Sequence, residues 1–278
     1  MPGRIAILAG ILVVAGFSVV AISRLRAPLS ALIMAAWVET IENVSYGPFP
    51  ENRLDVMRPR RTEKAGRPGV VVFHGGAWQT GGRHSMRERV CRRYLAKGFI
   101  AANVEYRSGV GPAAEDAVRA LEWFVNNAQS YGADPRRIVV TGESAGGHLA
   151  LLAAFNAWTP VAAVVSFYGI SDLAALVDAC FVRQRLSREN PTAAATSFSP
   201  VTYVRAGLCP VLSIHGTADP IVPPDQSIRL TEMLRRANGP ESAQLALIDG
   251  GKHGFTRREL EAAYKVAFEF LSRHGVKP

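Results

Sequence analysis

The chain has 278 residues, 48% of them hydrophobic and 20% charged, with 25 glycines and 17 prolines spread along its length. This is the make-up of a globular protein, and it excludes a disordered tail, a collagen-like repeat and a coiled coil. Lys and Arg number 32 against 23 Asp and Glu, a formal charge of +9. That charge suits an anionic partner, but no zinc-finger spacing, aromatic RNA-binding motif or basic heptad accompanies it, so nucleic acid is set aside.

In chain order, the first feature is Ile5 to Ile22, 18 residues without a charge between Arg4 and the pair Arg24 and Arg26. A helix of that length covers roughly 27 Å, close to a bilayer core of about 30 Å. An uncleaved anchor, a cleaved signal with a poor Ala21-Ile22-Ser23 site, and a buried N-terminal helix all fit. The first two place the protein at a membrane or outside the cell. After Pro28, apolar residues recur with helical spacing from Leu29 to Ile41. Residues 1–42 therefore read as a hydrophobic segment with an amphipathic helix, and 43–278 as the globular domain.

Within that domain a strand is expected near Leu54–Met57. A basic turn follows with Arg58, Arg60, Arg61, Lys64 and Arg67, read as a solvated loop or a contact for anionic headgroups. Further apolar, β-branched runs lie at Val70–Phe73, Phe99–Val104, Ile138–Val140, Val161–Phe167, Val211–Ile214 and Leu245–Ile248. Between them, helical periodicity covers 84–97, 113–130, 146–157, 224–237 and 257–273. Apolar strands alternating with helices predict an α/β fold: a mostly parallel sheet covered on both faces, with an antiparallel start. Residues 174–200 fit no βα unit and read as a short insertion. Cys91, Cys180 and Cys209 show no CxxC spacing and suggest neither a disulfide framework nor a metal site.

Thr141-Gly142-Glu143-Ser144-Ala145-Gly146-Gly147 joins a strand to an apolar helix. A tight turn there pushes the Ser144 hydroxyl out of the sheet, and the helix N-terminus behind it favours developing negative charge. Val70–Phe73 runs directly into His74-Gly75-Gly76-Ala77-Trp78, whose glycines let backbone N–H groups face a cavity. Gly75, Gly76 and Ala145 are thus candidates for an oxyanion hole, and Ala77 and Trp78 for the substrate pocket. A serine nucleophile needs a base and an orienting carboxylate. Among six histidines only His253 and His274 lie late enough for the order Ser, acid, His. His253 follows the last strand, whereas His274 ends the final helix. For the acid, Asp219 sits in a turn after a strand, with Asp172 and Asp249 as competitors.

HGGAW, GESAGG, HGTADPIVP and KHGF together resemble the hormone-sensitive-lipase-like and feruloyl/acetyl-esterase-like branch of the α/β-hydrolase superfamily, from about residue 43 onward. The resemblance implies a Ser144–Asp219–His253 triad and hydrolysis of carboxylic esters without a cofactor or metal. Two departures stand out. Ala77 replaces the third glycine of the usual HGGG, and no large N-terminal cap precedes the first strand, which points to a small esterase for short acyl or acetyl esters. An amide-directed hydrolase such as an arylformamidase, and a non-catalytic ligand-binding protein on the same fold, are the competing readings.

Overall fold

The computed structural model describes residues 37–60, 66–186 and 190–277. The chain divides into two compact units, Met1–Glu39 and Thr40–Pro278. The uncharged run Ile5–Ile22 lies outside the described residues, and among the described residues no helix is long and apolar enough to cross a membrane. The helical spacing reaches Ile41, yet Val38–Ser45 is a strand, β1. Val38, Thr40, Ile41 and Val44 are β-branched and suit a pleated edge, which Glu39 and Glu42 keep polar.

Among the described residues eight strands form one sheet in the order β1-β2-β4-β3-β5-β6-β7-β8. β2 (Arg53–Pro59) runs antiparallel to β4 (Ile100–Val104), with Leu54 opposite Val104. The remaining pairings from β4 onward are parallel: β3 (Arg67–Phe73) lies between β4 and β5 (Ala133–Glu143), followed by β6 (Ala163–Phe167), β7 (Val211–Gly216) and β8 (Ala243–Ile248). The central strands are buried on both faces, which is why they read as continuous apolar runs rather than alternating ones.

The helix predicted over 84–97 is composite: α1 starts as His84–Met86, widens into a π turn at Arg87–Cys91 and closes as Arg92–Leu95. α2 (Val110–Asn127) buries the stripe Ala113, Ala117, Leu121 and Phe124 and packs on α3 (Ala145–Asn156). α3 is apolar all round and lies in the interior. The insertion consists of a 3-10 turn at Ala174–Leu176, the short helices α4 (Cys180–Arg183) and α5 (Pro191–Ser197), and a second 3-10 turn at Pro200–Tyr203. Asn190 starts α5 by accepting the N–H of Ala193, with Pro191 preset for the first turn. α6 (Asp225–Asn238) and α7 (Arg257–Arg273) complete the domain, and a reciprocal Thr256–Glu259 capping box opens α7.

The winding reverses between β3 and β5, because β4 lies on one side of β3 and the chain then crosses to the other. Loops leaving the C-terminal ends of β3 and β5 diverge and open a crevice. The register pairs Phe73 with Gly142, so residues following β3 come beside those following β5.

Candidate active site

Ser144 occupies the single residue between β5 and α3, with φ 56° and ψ −119°. A side chain in this strained conformation persists only where its surroundings over-determine it. Its two flanking glycines supply that constraint. A Cβ on Gly142 would lie 2.3 Å from the backbone of Gly146, and one on Gly146 would lie 2.2 Å from the Phe73 carbonyl oxygen. The first turn of α3 therefore touches the end of β3 directly, and only glycine permits that approach.

The Ser144 Oγ stands 2.9 Å from His253 Nε2, and His253 Nδ1 stands 2.8 Å from Asp219 Oδ2. An ionised carboxylate only accepts, so Nδ1 carries the imidazole proton and Nε2 is free to accept the serine hydroxyl. Asp219 belongs to the turn after β7 and His253 to the loop after β8, so the C-terminal ends of β5, β7 and β8, on one edge of the sheet, contribute one side chain each. The Asp219 side chain is fully buried, which demands compensation of its charge. Its Oδ1 accepts the N–H groups of Ile221 at 2.9 Å and Val222 at 3.0 Å. Its Oδ2 also lies 3.3 Å from His215 Nε2. His215 bonds the Val222 carbonyl and the Ser227 hydroxyl as well, and burial pushes it below the ordinary histidine range, so it stays neutral.

The competing residues have other partners. Asp172 accepts the N–H of Ala175 and pairs with Arg229, Asp249 accepts from the Thr217 hydroxyl, and His274 caps α7 against the Phe270 ring.

A cavity of about 460 Å³ opens over Ser144 and His253, and Gly75, Gly76 and Ala77 form part of its wall. A Cβ on Gly75 would fall 3.6 Å from the Ser144 Cβ and 2.9 Å from the Glu143 carbonyl oxygen, so the loop passes close to the Ser144 turn. Ala145 is fully buried at the start of α3. Trp78 does not line the cavity, contrary to the expectation from its motif. Both Ala77 (φ 50°) and Trp78 (φ 57°) adopt left-handed backbone, which turns the indole inward. Its side chain is fully buried, and Nε1–H donates to His148 Nδ1 at 3.1 Å. His148 Nε2 in turn meets the Phe198 carbonyl at 2.7 Å. His74 braces the same loop: Nε2 bonds Glu105 at 2.9 Å and the ring stacks on Tyr106 at 4.0 Å.

The sequence motifs assign no role to several residues of the site. Glu143, next to the serine, has both carboxylate oxygens 2.8 Å from Arg89 Nε, and Arg89 Nη2 reaches the Tyr168 hydroxyl at 3.3 Å. The Tyr168 ring meets His253 edge-on at 4.9 Å. Burial opposes the charge of Arg89, but the Glu143 carboxylate more than offsets it and holds the guanidinium above its ordinary range. From the insertion, Phe181 lines the cavity, with Ile170 and Ile221 completing an apolar wall. A wider groove of about 730 Å³ along α7 shares none of these residues. Among the described residues no group of His, Cys, Asp and Glu is arranged to hold a metal ion.

Comparisons with known proteins find esterases among the relatives. The chain is 31% identical to a probable carboxylic ester hydrolase, LipM, of Mycobacterium tuberculosis over 223 residues, 70% of this chain and 52% of that protein. It is 31% identical to a probable isoprenylcysteine alpha-carbonyl methylesterase of rice (Oryza sativa subsp. japonica) over 248 residues, 77% of this chain and 57% of that one. The chain thus spans about half the length of the curated relatives it matches. Its fold superposes on a thermophilic esterase of Thermogutta terrifontis with a TM-score of 0.71 and 28% identity, covering 86% of this chain and 95% of that one. With this sheet, and with residues 54–234 matching its family model, the chain belongs to the BD-FAE family and has the α/β-hydrolase fold.

Proposed function

We propose that the protein is a carboxylic ester hydrolase acting on short-chain acyl or acetyl esters, with Ser144 as nucleophile, His253 as general base and acid, and Asp219 as its orienting carboxylate. The observation that carries this reading is the hydrogen-bonded line Ser144–His253–Asp219 ending in an open cavity. Ser144 Oγ attacks the ester carbonyl as its proton passes to His253 Nε2. The N–H groups of Gly75, Gly76 and Ala145 bond the resulting oxyanion. Collapse breaks the bond to the alcohol, which leaves with the proton from His253, and an acyl group stays on Ser144. Water then repeats the sequence, releasing the acid and restoring the serine.

The preference for short chains is supported by the modest cavity and by the Thermogutta terrifontis esterase having been captured with propionate and with butyrate. Each buried methylene contributes about 0.8 kcal/mol, and one protruding into water close to nothing. Specificity constants for p-nitrophenyl esters therefore peak at about C2–C6 and fall beyond about C8. Ser144→Ala removes turnover by several powers of ten and abolishes labelling by a fluorophosphonate, with the fold intact. Near-normal turnover in that variant sinks the assignment. The run Ile5–Ile22 supports an anchored or exported enzyme, and retention in membranes through a carbonate wash tests it.

A further inference from the structure

One cation in the cavity wall is not used by the ester chemistry. Arg89 projects from the middle of the π turn Arg87–Cys91, a rare local widening of a helix that recurs at functional sites. It is the cationic side chain among the cavity-lining residues, 35% exposed where its partner Glu143 is 7% exposed. The pairing is lopsided. Nε alone serves both Glu143 oxygens and Nη2 reaches Tyr168, while Nη1 meets no hydrogen-bond partner among the described residues. A purely structural Arg–carboxylate pair gains most from the two-pronged geometry, which would engage a terminal nitrogen. Here Glu143 fixes the guanidinium relative to Ser144, its neighbour in sequence, and leaves two N–H groups of Nη1 for something else. Ile170, Phe181 and Ile221 in the same cavity wall provide no acceptor from their side chains, so they leave Nη1 open to an acceptor carried by the substrate. A carboxylate is the acceptor that gains most from a guanidinium, and the +9 charge of the chain draws anions toward it.

We propose that Arg89 is a substrate-reading residue and that the preferred esters carry a carboxylate on their acyl or alcohol portion, bonded to Arg89 Nη1 while Ser144 attacks the ester carbonyl. The inference rests on the ester-hydrolase reading above. Two matched pairs test it on the full chain at neutral pH. Mono-p-nitrophenyl adipate against p-nitrophenyl hexanoate places the charge on the acyl side, and p-acetoxybenzoate against p-acetoxybenzamide places it on the alcohol side. In at least one pair kcat/KM favours the carboxylate roughly tenfold, the size of one charge-assisted hydrogen bond, and the preference shrinks as salt rises. Arg89→Met brings that ratio to about one or below. The ratio is read within each variant, so a general loss of turnover cancels. Because Arg89→Met strands the Glu143 carboxylate, the double variant Arg89→Met/Glu143→Gln repeats the measurement without a buried unpaired charge. Neutral esters turned over with no carboxylate preference in either pair, or a preference that survives loss of Arg89, overturn the proposal and leave the hydrolase reading standing. If neither pair is hydrolysed and Ser144 resists the fluorophosphonate, both fall together.

Discussion

The turn around Ser144 and the segment from Asp172 to Tyr203 both serve the same cavity, yet they are built in different ways. At the turn, backbone meets backbone: Gly146 approaches the Phe73 carbonyl with no room for one methyl group, and the side chains of α3 are buried all round. The segment is a string of short helical turns tied to the rest mostly through side chains, such as Ser199 on the Leu173 N–H, Arg185 on the Gln79 side chain and the buried Leu173 and Val182, with one backbone bond from the Val201 N–H to the Ser171 carbonyl. Close backbone packing leaves Ser144 one position. A segment tied down by side chains can change its residues, and with them the cavity wall, while the sheet stays as it is.

The largest expected effect lies on the turn. Gly146→Ala places a Cβ inside the contact with β3, so the variant yields no soluble folded protein, as judged by expression and circular dichroism. A folded, active variant would show that the strand and helix can separate, and the contrast between the regions would weaken. Next in size is Asp219→Asn, which keeps the fold but lowers kcat by about 10⁴-fold, because an amide no longer enforces the His253 tautomer. If Asp172→Asn has that effect instead, the acid belongs to the other side of the comparison.

His148 joins the two regions, receiving Trp78 from the loop after β3 and bonding Phe198 in the segment. Burial pushes its pKa down to about 4 from 6.5. The unfolded chain therefore binds the proton first, and stability present above pH 6.5 is lost as pH falls toward 4. The loss amounts to roughly 3 kcal/mol, since each tenfold weakening of proton affinity in the folded state corresponds to about 1.4 kcal/mol. Protonation would also put the ring's second proton on Nδ1, facing the Trp78 donor. Urea denaturation at neutral pH and near pH 4 measures the loss, and His148→Gln, itself less stable at neutral pH, shows a smaller acid dependence. An unchanged dependence in that variant would assign the acid lability elsewhere. The smallest effect belongs to the segment: Phe181→Ala lowers kcat/KM for hexanoate relative to acetate by roughly three- to tenfold, with stability little changed. Equal losses on both esters would mean that Phe181 shapes the fold and not the acyl site.

The positions of Ser144, Asp219 and His253 after β5, β7 and β8 are legible in the sequence because each lies in a short loop directly after an apolar strand, and a parallel sheet brings such loops to one edge. The alternation of strands and helices is legible for the same reason. β1 is not, because its partly exposed edge position leaves no clean alternation between apolar and polar residues. The motif around Trp78 shows proximity to the site and so suggests a pocket residue, whereas two consecutive left-handed residues decide which way the indole faces.

The sequence by itself determined the kind of fold and where the turn around Ser144 lies, since periodicity, glycine placement and chain order act over short distances. Only the tertiary structure decided what surrounds that turn. Arg89 and Glu143 are separated by 54 residues, and Arg89 and Tyr168 by 79. They meet because β5 and β6 carry Glu143 and Tyr168 to the crevice while a π turn in α1 delivers the guanidinium there. Buried charges select partners by three-dimensional proximity, and no local pattern along the chain encodes that choice.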